Sequence, residues 1–468
     1  MNVSLTADQL SELLEEALDF SHVNGIVLRR ANGEVKPIPF SLLPTPMPKS
    51  AFELARSLTT AFHYVRHRVV QAHSFLPEIL ADAAQQDEFL RRLLTLEADA
   101  RRLGIRQTLA LSVCRADYML HRDPSSGQLS LQQVEVNMIS AGFSNLSSKI
   151  AAMHRYLVDR HAAYLPRAGT LPENNASHIV CQAMLEAYQA YGVPDAIVLM
   201  VVQPNEKNAF DQRPFEYFFA SQGVTLRRYT LKQISDLAQV DERTGALRLR
   251  GEEVALAYFR AGYTPRDYPS DDEWRARLVL ETSRAIKCPT VAFQLSGLKK
   301  VQQVLADTTT LRRFVSDEAL LARMQRVTAS LWALGDGKDH AIVAAAIADR
   351  CKHYVLKPQR EGGGNNLYEE NATAALERMS EEERRAFILM SRIQVPARPC
   401  FMVRDGAHVD VIEASSELGF YGVLLADGDN VLFNRFAGSL LRSKNAAEND
   451  GGVAAGVAVM DSVVLTDD

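Results

Sequence analysis

Hydrophobic positions near the start of the chain recur with the spacing of an amphipathic helix. Leu10, Leu13, Leu14, Ala17 and Leu18 follow the i, i+3, i+4, i+7, i+8 pattern, which places them on one buried helix face. Helix-compatible stretches continue through 51–120, and the proline-rich segment 37–48 is interpreted as a linker between helices. The pattern therefore predicts that the first 120 residues are mostly helical.

Strand-like runs begin after this region. Residues 132–138 alternate apolar and polar side chains, whereas 196–202 is continuously apolar, as expected of a strand buried on both faces. Between 193 and 297 strand and helix patterns alternate, which predicts an inserted α/β unit, and a helix is predicted in the region 305–335. Further strands are predicted at 354–356 and, in a pattern typical of an antiparallel sheet, at 400–403, 409–413, 422–425 and 431–434.

Composition and charge narrow the functional classes. The 468 residues suggest two or three domains, and 47% hydrophobic with 23% charged residues is ordinary for a soluble globular protein. A net charge of −5 gives no electrostatic reason to expect a nucleic-acid partner. The five cysteines lack metal-site or Cys-x-x-Cys spacing, which favours free thiols in a reducing compartment. With no signal-peptide pattern and no run of about 18 apolar residues, the sequence predicts a cytoplasmic protein without a membrane partner.

The segment 357–368 concentrates groups that suit a phosphate ligand. It reads Lys357-Pro-Gln-Arg-Glu361-Gly-Gly-Gly-Asn365-Asn366-Leu-Tyr368. Consecutive glycines can present backbone N–H groups to an anion, while a lysine supplies positive charge and a carboxylate can hold a divalent cation. The set suits a nucleoside triphosphate with magnesium, although the chain has no Gly-x4-Gly-Lys-Ser/Thr motif. A mobile turn after a strand is the alternative.

A second glycine-rich segment lies near the C-terminus. Arg442 and Lys444 precede Asp450-Gly-Gly-Val453-Ala454-Ala455-Gly456. A small-residue tail packed closely on a strand is the alternative interpretation. Two glycine-rich loops, each preceded by cations, favour phosphate binding over two unrelated turns.

Glu135 and Asn137 form a candidate metal pair. Because residues i and i+2 of a strand point to the same face, the two side chains are expected to face outward together while Val134 and Val136 face the core. A carboxylate and an amide oxygen suit magnesium, which takes few protein ligands. A half-exposed strand with ordinary polar residues is the alternative.

Several longer motifs carry a resemblance to a known family. They are 357–368, Lys299-Lys300-Val-Gln-Gln303, Phe210-Asp-Gln-Arg213, Tyr258-Phe-Arg260, Ser416-Glu-Leu-Gly419 and 450–459. With them the chain resembles the eukaryotic-type glutathione synthetase family of ATP-grasp ligases from about residue 10 to 461. The resemblance implies an α/β (α+β) ATP-grasp fold with a helical N-terminal part, an inserted α/β substrate-binding domain and an antiparallel-sheet lid region. Residues 1–192 and 298–468 would form the catalytic body, with glycine-rich loops at 361–368 and 450–458, and 193–297 the inserted domain.

The activity implied by the resemblance is ATP-dependent ligation of γ-glutamylcysteine and glycine through an acyl phosphate, giving glutathione, ADP and phosphate. It also implies a homodimer and magnesium bound by Glu135, Asn137 and Glu361. Lys299, Lys357 and Arg442 would act in catalysis. A related ligase with another amine acceptor and an inactive nucleotide- or thiol-peptide-binding regulator are the alternatives. Small residues at 454–455 accompany glycine as the acceptor within the family.

The resemblance also implies two sets of ligand contacts. ATP would be bound by Lys299, Lys357, Glu361, Gly362, Gly363, Gly364, Asn365, Asn366, Tyr368, Met390, Ser391, Arg392, Ile393, Glu417, Lys444 and Asp450. The peptide and the acceptor would be bound by Arg115, Ser140, Gly142, Glu206, Asn208, Gln212, Arg260, Tyr263, Arg442, Val453 and Ala454. The chain departs from the family pattern at three places, where Gly142 replaces serine, Ala261 replaces aspartate, and Ser391-Arg392 replaces Glu-Lys.

Overall fold

The structure is a computed structural model that describes residues 5–30, 32–165, 169–360, 364–406, 408–449, 451–453 and 456–467. Its helices are α1 (Ala7–Val23), α2 (Lys49–Gln71), α3 (Phe75–Gln86), α4 (Glu88–Leu103), α5 (Ser144–Arg160), α6 (Ala176–Tyr191), α7 (Ala209–Ser221), α8 (Leu231–Leu237), α9 (Asp271–Thr282), α10 (Val291–Ser296), α11 (Lys299–Ala306), α12 (Thr308–Leu311), α13 (Glu318–Arg326), α14 (His340–Ala348), α15 (Glu369–Arg378) and α16 (Glu381–Arg384). None of these described helices is both long and apolar enough to cross a membrane.

The strands fall into one large and three small sheets. They are β1 (Val27–Arg29), β2 (Val35–Pro37), β3 (Phe40–Ser41), β4 (Thr45–Pro48), β5 (Leu109–Arg122), β6 (Leu129–Asn137), β7 (Ile197–Val201), β8 (Leu226–Tyr229), β9 (Ala238–Val240), β10 (Leu247–Leu249), β11 (Glu252–Phe259), β12 (Ile286–Cys288), β13 (Leu331–Ala333), β14 (Tyr354–Pro358), β15 (Leu367–Tyr368), β16 (Phe387–Ser391), β17 (Arg398–Arg404), β18 (His408–Asp427), β19 (Asn430–Asn445), β20 (Ala458–Asp461) and β21 (Val463–Thr466).

The N-terminal helix is confirmed. Thr6 accepts a hydrogen bond from the Gln9 backbone N–H, and the Gln9 side chain accepts one from the Thr6 N–H, so the two residues cap each other's orphan groups. Leu13 and Ala17 of α1 are completely buried. The predicted amphipathic face is therefore the packed face.

The expectation of a mostly helical first 120 residues is wrong between 27 and 48 and after 108. Strands β1 to β4 occupy the first interval and β5 begins in the second. In particular, the predicted linker 37–48 contains β4, which pairs in parallel with β21. Proline holds φ near the extended range and pushes the preceding residue toward extended backbone, so the proline-rich sequence forms a strand of a two-stranded sheet.

The main sheet carries the two longest strands at its centre. Its order is β17-β3-β20-β19-β18-β5-β12-β11-β10-β9, with β6 paired to β5, and β7 and β8 attached through β11. Alternate side chains of β18 enter opposite cores: Phe420 packs with α2 to α4, while Tyr421 packs with α1, α5 and α6. Helices cover both faces, and the predicted strands at 132–138 and 196–202 are confirmed as β6 and β7.

A smaller antiparallel sheet has a core of its own. Its order is β13-β16-β14-β15, and Leu356 packs there with Ala346 of α14 and Leu376 of α15. The strand predicted at 354–356 is confirmed as β14, whereas those at 400–434 form β17 to β19 of the main sheet.

The helix predicted in the region 305–335 is present as α12 and α13, but the region is not one continuous helix and ends in β13. Asp307 and Asp317 each accept hydrogen bonds from the backbone N–H groups that follow them. An aspartate that binds nearby amides starts a new helix instead of continuing one.

A β-bulge in the main sheet creates the contact with the small sheet. The register of β5 on β6 shifts between Asp117 and Tyr118, which leaves Val134 outside the regular pairing. The Val134 carbonyl accepts hydrogen bonds from Lys357 Nζ of β14 at 3.1 Å and from Gln302 Nε2 of α11 at 3.3 Å. The bulge thus connects β6 to the small sheet.

Two buried histidines should make the free energy of unfolding depend on pH. His154 donates through Nε2 to the Ser41 carbonyl and accepts at Nδ1 from the Ser462 hydroxyl, both at 2.7 Å. Burial lowers the pKa of His154 to about 4, and burial together with the charge of His67 lowers that of His63 to about 3. Because these folded-state pKa values are depressed, their stabilisation is present above about pH 6.5 and is lost as the pH falls toward 4.

We therefore expect each of the two histidines to remove about 2 kcal/mol of unfolding free energy between pH 7 and pH 5. Burial raises the pKa of Asp461 to about 6, which offsets part of this loss. Denaturant unfolding of His154→Gln should show a pH slope shallower than wild type by that amount. The same substitution at the exposed His408 should keep the full slope, and an equal slope in all three proteins would contradict the assignment.

Candidate active site

A buried carboxylate organises the centre of the main sheet. Asp117 of β5 has no exposed surface and accepts hydrogen bonds from Arg115 Nε and Nη2 at 2.7 and 2.8 Å, and from Asn137 Nδ2 at 2.9 Å. Arg442 Nη2 of β19 lies 3.4 Å from Asp117 Oδ2. On β18, a Cβ at Gly419 would lie 2.5 Å from Asp117 Oδ1. The glycine therefore leaves the space that this carboxylate occupies.

Asp117 compensates the buried positive charge of Arg115. Burial works against the charge of Arg115, yet the adjacent Asp117 carboxylate raises the pKa of the guanidinium well above its ordinary value. Their two parallel hydrogen bonds form the bidentate geometry that holds arginine most firmly. Arg115 therefore presents a fixed positive charge.

Two lysines from distant elements meet the candidate metal pair. Lys299 Nζ, at the first residue of α11, lies 2.8 Å from Glu135 Oε2 of β6. Lys357 on β14 is 3% exposed. Burial opposes ionisation of Glu135, but the charges of Lys299 and Lys357 hold its pKa well below the ordinary value. The Glu135 carboxylate thus remains charged between Lys299 and Lys357. The two lysines are suited to neutralising phosphate oxygens.

The shared face of Glu135 and Asn137 is confirmed, because Asn137 Nδ2 donates to Glu135 Oε1 at 3.1 Å. The expectation that both face outward is wrong for Asn137, which is 6% exposed. Side chains from β5 and α11 cover this face, since Asp117 accepts from Asn137 and Lys299 pairs with Glu135.

A cavity of about 230 Å³ lies beside this centre. The structure brings ten of the eleven predicted peptide- and acceptor-site residues to its wall, together with Asn137: Arg115, Ser140, Gly142, Glu206, Asn208, Gln212, Arg260, Tyr263, Arg442 and Val453. Three arginines facing one small cavity suit a ligand with carboxylates, which arginine binds through paired hydrogen bonds.

Arg260 is held at the cavity wall by Asp211. Its Nη2 donates to Asp211 Oδ2 at 3.0 Å, and Asp211 also accepts the backbone N–H groups of Phe143, Asn145 and Leu146 at the start of α5. A carboxylate at a helix N-terminus is stabilised by the helix dipole. Asp211 therefore fixes the Arg260 guanidinium to the start of α5.

The Ala261 departure leaves its turn intact. Asp267 Oδ2 accepts the backbone N–H groups of Gly262, Tyr263 and Thr264 at 3.0 to 3.1 Å. Gln203 donates to the other Asp267 oxygen at 2.8 Å. The turn that carries Tyr263 is therefore held by Asp267, without a carboxylate at 261.

Predicted nucleotide residues gather on the small sheet and the end of β19. Arg392 bridges Glu369 and Asn449 at 2.7 and 2.6 Å, and its guanidinium lies 5.8 Å from the centre of the Tyr368 ring. Lys444 Nζ donates to the Asn449 carbonyl at 2.7 Å. Met390 and Ser391 pair with Val355 and Tyr354 of β14, and Ile393, Asn365 and Asn366 are at least partly exposed.

Glu417 lies in the buried charged group formed by Arg115, Asp117 and Arg442. It lies opposite Arg442 in the pairing of β18 with β19 and forms a direct ion pair with it. Burial raises the pKa of Glu417, against the lowering effect of Arg442.

Five predicted residues lie outside the described ranges, namely Glu361, Gly362, Gly363, Asp450 and Ala454. Gly364 is described, with a φ of 86° and open space around its missing side chain.

The sequence did not single out Asp117 and Asp211, which hold the site arginines in place. Asp211 stands inside the Phe210-Asp-Gln-Arg213 motif, and Asp117 lies two residues from Arg115 on the same strand face. The i, i+2 spacing of opposite charges was the available signal.

Comparison with solved structures defines the fold. The chain superposes on a glutathione synthetase-like effector from Globodera pallida in its apo form with a TM-score of 0.79, covering 99% of this chain and 98% of that one at 23% identity. The α/β architecture predicted from the sequence is confirmed, and the chain shares the fold of that glutathione synthetase-like protein.

Comparison with protein families defines the class and the family. The family model for the eukaryotic glutathione synthase ATP-binding domain matches residues 7–465. Glutathione synthetases from Dictyostelium discoideum, Bos taurus and Homo sapiens are 36%, 38% and 37% identical to the chain, over 97 to 98% of its length and 96 to 99% of theirs. The chain is an ATP-dependent ligase of the glutathione synthase class. It belongs to the eukaryotic glutathione synthase family, as the resemblance predicted.

Proposed function

We propose that this chain forms glutathione by activating the cysteinyl carboxylate of γ-glutamylcysteine with ATP and transferring it to glycine. Asn137 provides the observation that carries this proposal. It lines the peptide cavity and also donates to Glu135, the ion-pair partner of Lys299. A substrate carboxylate in the cavity and the terminal phosphate of ATP at Lys299 and Lys357 would therefore lie on either side of the Asn137 side chain.

The peptide would be anchored by its carboxylates. Arg115 and Arg260 are fixed by Asp117 and Asp211, so little ordering is needed when they bind a ligand. Asn208 Oδ1 is buried, and no donor among the described residues reaches it. A buried acceptor of this kind is costly unless a ligand satisfies it, and the γ-glutamyl ammonium group has the donors to do so.

Two transfer steps follow in this proposal. A carboxylate oxygen attacks the γ-phosphorus, the bond to the β-phosphate oxygen breaks, and ADP leaves. Lys299 and Lys357 would offset the charge on the phosphate oxygens, which is the main requirement of phosphoryl transfer. The glycine nitrogen, bound as the free amine, then attacks the acyl carbon and loses a proton as phosphate departs. Arg442 would stabilise the tetrahedral oxyanion.

The donor set also suits magnesium. The Asn137 amide donates both of its hydrogen bonds through Nδ2, and no donor in the described part of the chain is bonded to its Oδ1. Together with the Glu135 carboxylate this offers hard oxygen ligands, which magnesium prefers, and Glu361 would add another. Bound magnesium would neutralise phosphate charge. The adenine and ribose would lie against the small sheet near Tyr368, Met390 and Lys444.

We further propose that 193–297 acts as the substrate-binding domain and that the protein works as a cytoplasmic homodimer. All five cysteines are free and buried, which suits a reducing compartment. The homodimer rests on the family resemblance alone, and light scattering should give twice the chain mass.

Phosphate release from Mg-ATP tests the proposed reaction. With γ-glutamylcysteine present, we expect release to require glycine and to yield glutathione, while β-alanine and serine support little. Release with another amine instead would keep the ligase and reassign its acceptor. ATP binding without release under any combination would support an inactive regulator, and would contradict the proposal.

A further inference from the structure

The guanidinium of Arg260 occupies the space that a side chain at Gly142 would need. A Cβ at Gly142 would lie 2.7 Å from Arg260 Nη2 and 3.5 Å from Cζ. The φ angle of Gly142 is outside the left-handed region, so its backbone conformation is open to other residues. The close approach of Arg260 is what restricts this position to glycine.

Three hydrogen bonds hold the loop that carries Gly142 in place. The Tyr421 hydroxyl donates to the Gly142 carbonyl at 2.6 Å, and the Ser140 hydroxyl donates to the Phe259 carbonyl at 3.2 Å. The Phe143 N–H donates to Asp211 Oδ2 at 2.8 Å. An added side chain at 142 would therefore displace the end of the Arg260 side chain from Asp211, while the hydrogen bonds of the loop itself remain.

Arg260 has an unused donor in this position. The residue is 6% exposed, and Nη2 is engaged by Asp211. Nη1 is buried, and none of the described residues offers it a hydrogen-bond partner. Because a buried donor without a partner is unfavourable, this nitrogen fits an oxygen of a ligand in the adjacent cavity.

We propose that Gly142 is a positioning residue, which leaves the space that Arg260 needs to present its guanidinium to a carboxylate of the peptide substrate. The assignment rests on the proposed function, in which Arg260 binds γ-glutamylcysteine. In this chain the Arg260 guanidinium occupies the space that a serine side chain at 142 would need. Gly142 acts through Arg260 and makes no contact of its own with the substrate.

A double-mutant cycle tests the proposal. Gly142→Ala should raise KM for γ-glutamylcysteine about tenfold, the effect of losing one charge-assisted hydrogen bond. KM for ATP should stay close to wild type, whereas the melting temperature should fall, because the displaced Nη2 is the atom that donates to Asp211 in a buried ion pair. In an Arg260→Lys background, which removes Nη2, Gly142→Ala should have no further effect on the peptide KM.

Two results would overturn the role of Gly142. One is an unchanged peptide KM in Gly142→Ala when wild type is active, and the other is an equal increase in both backgrounds. A wild type without γ-glutamylcysteine-dependent turnover would instead refute the proposed function, so the two failures are distinguishable.

Discussion

Asp117→Ala is expected to lower the free energy of unfolding by about 3–5 kcal/mol, the usual effect of removing one partner from a buried ion pair. Arg115 would lose both hydrogen bonds that orient it, and its side chain is only 8% exposed. Turnover should also fall sharply, because Asn137 and Arg442 lose the same anchor. Denaturant unfolding and steady-state kinetics on the same preparations would measure both effects.

A surface aspartate provides the matched control. Asp99 pairs with Arg102 at 3.0 Å, with side chains 38% and 69% exposed, and exposed pairs contribute about 0–1 kcal/mol. Asp99→Ala should therefore change neither stability nor turnover appreciably. Asp117→Asn keeps the shape of the side chain and separates the loss of charge from the loss of volume. Wild-type stability in Asp117→Ala would refute the organising role given to this carboxylate.

Glu135→Gln is expected to reduce kcat by about 10²–10³-fold, the range found when preorganised stabilisation of transition-state charge is lost, because Glu135 positions Lys299 through their ion pair. The substitution replaces the carboxylate between Lys299 and Lys357 with a neutral group of the same shape. If Glu135 is also a magnesium ligand, the magnesium concentration for half-maximal activity should rise in the variant. Turnover measured across a magnesium titration would show both changes.

Glu413→Gln is the control for this substitution, since Glu413 is exposed on β18. It should match wild type in kcat and in magnesium dependence. A Glu135→Gln enzyme with normal kcat would exclude the role of Glu135 in positioning Lys299. A low kcat with unchanged magnesium dependence would keep that role and remove the residue from the metal site.

Strong local patterns accounted for much of the fold that could be predicted. The helical face of α1 and the runs that became β6, β7 and β14 have clear periods, and those elements formed as expected. The failures came where local signals were ambiguous. Prolines in 37–48 suit both a linker and an extended strand, and the choice depends on β21, more than 400 positions away.

The candidate site was less predictable than its motifs suggest. Motifs identified the arginines that face one cavity and the lysines beside Glu135, but the partners of the arginines could not be found in the same way. Asp117 and Arg442 are 325 positions apart in the chain. A buried counter-ion is defined by what surrounds it in space, and the i, i+2 spacing of Arg115 and Asp117 alone does not distinguish Asp117 from a solvated aspartate.

The irregular pairing at Val134 ties the length of one hairpin to a distant part of the chain. Its carbonyl is bonded to Lys357, which lies 223 positions further along. Adding or deleting one residue in β5 or β6 would exchange the faces of the side chains beyond that point, and would also move the docking point of the small sheet. This hairpin should consequently tolerate substitutions far better than changes in length, even at exposed positions near its turn.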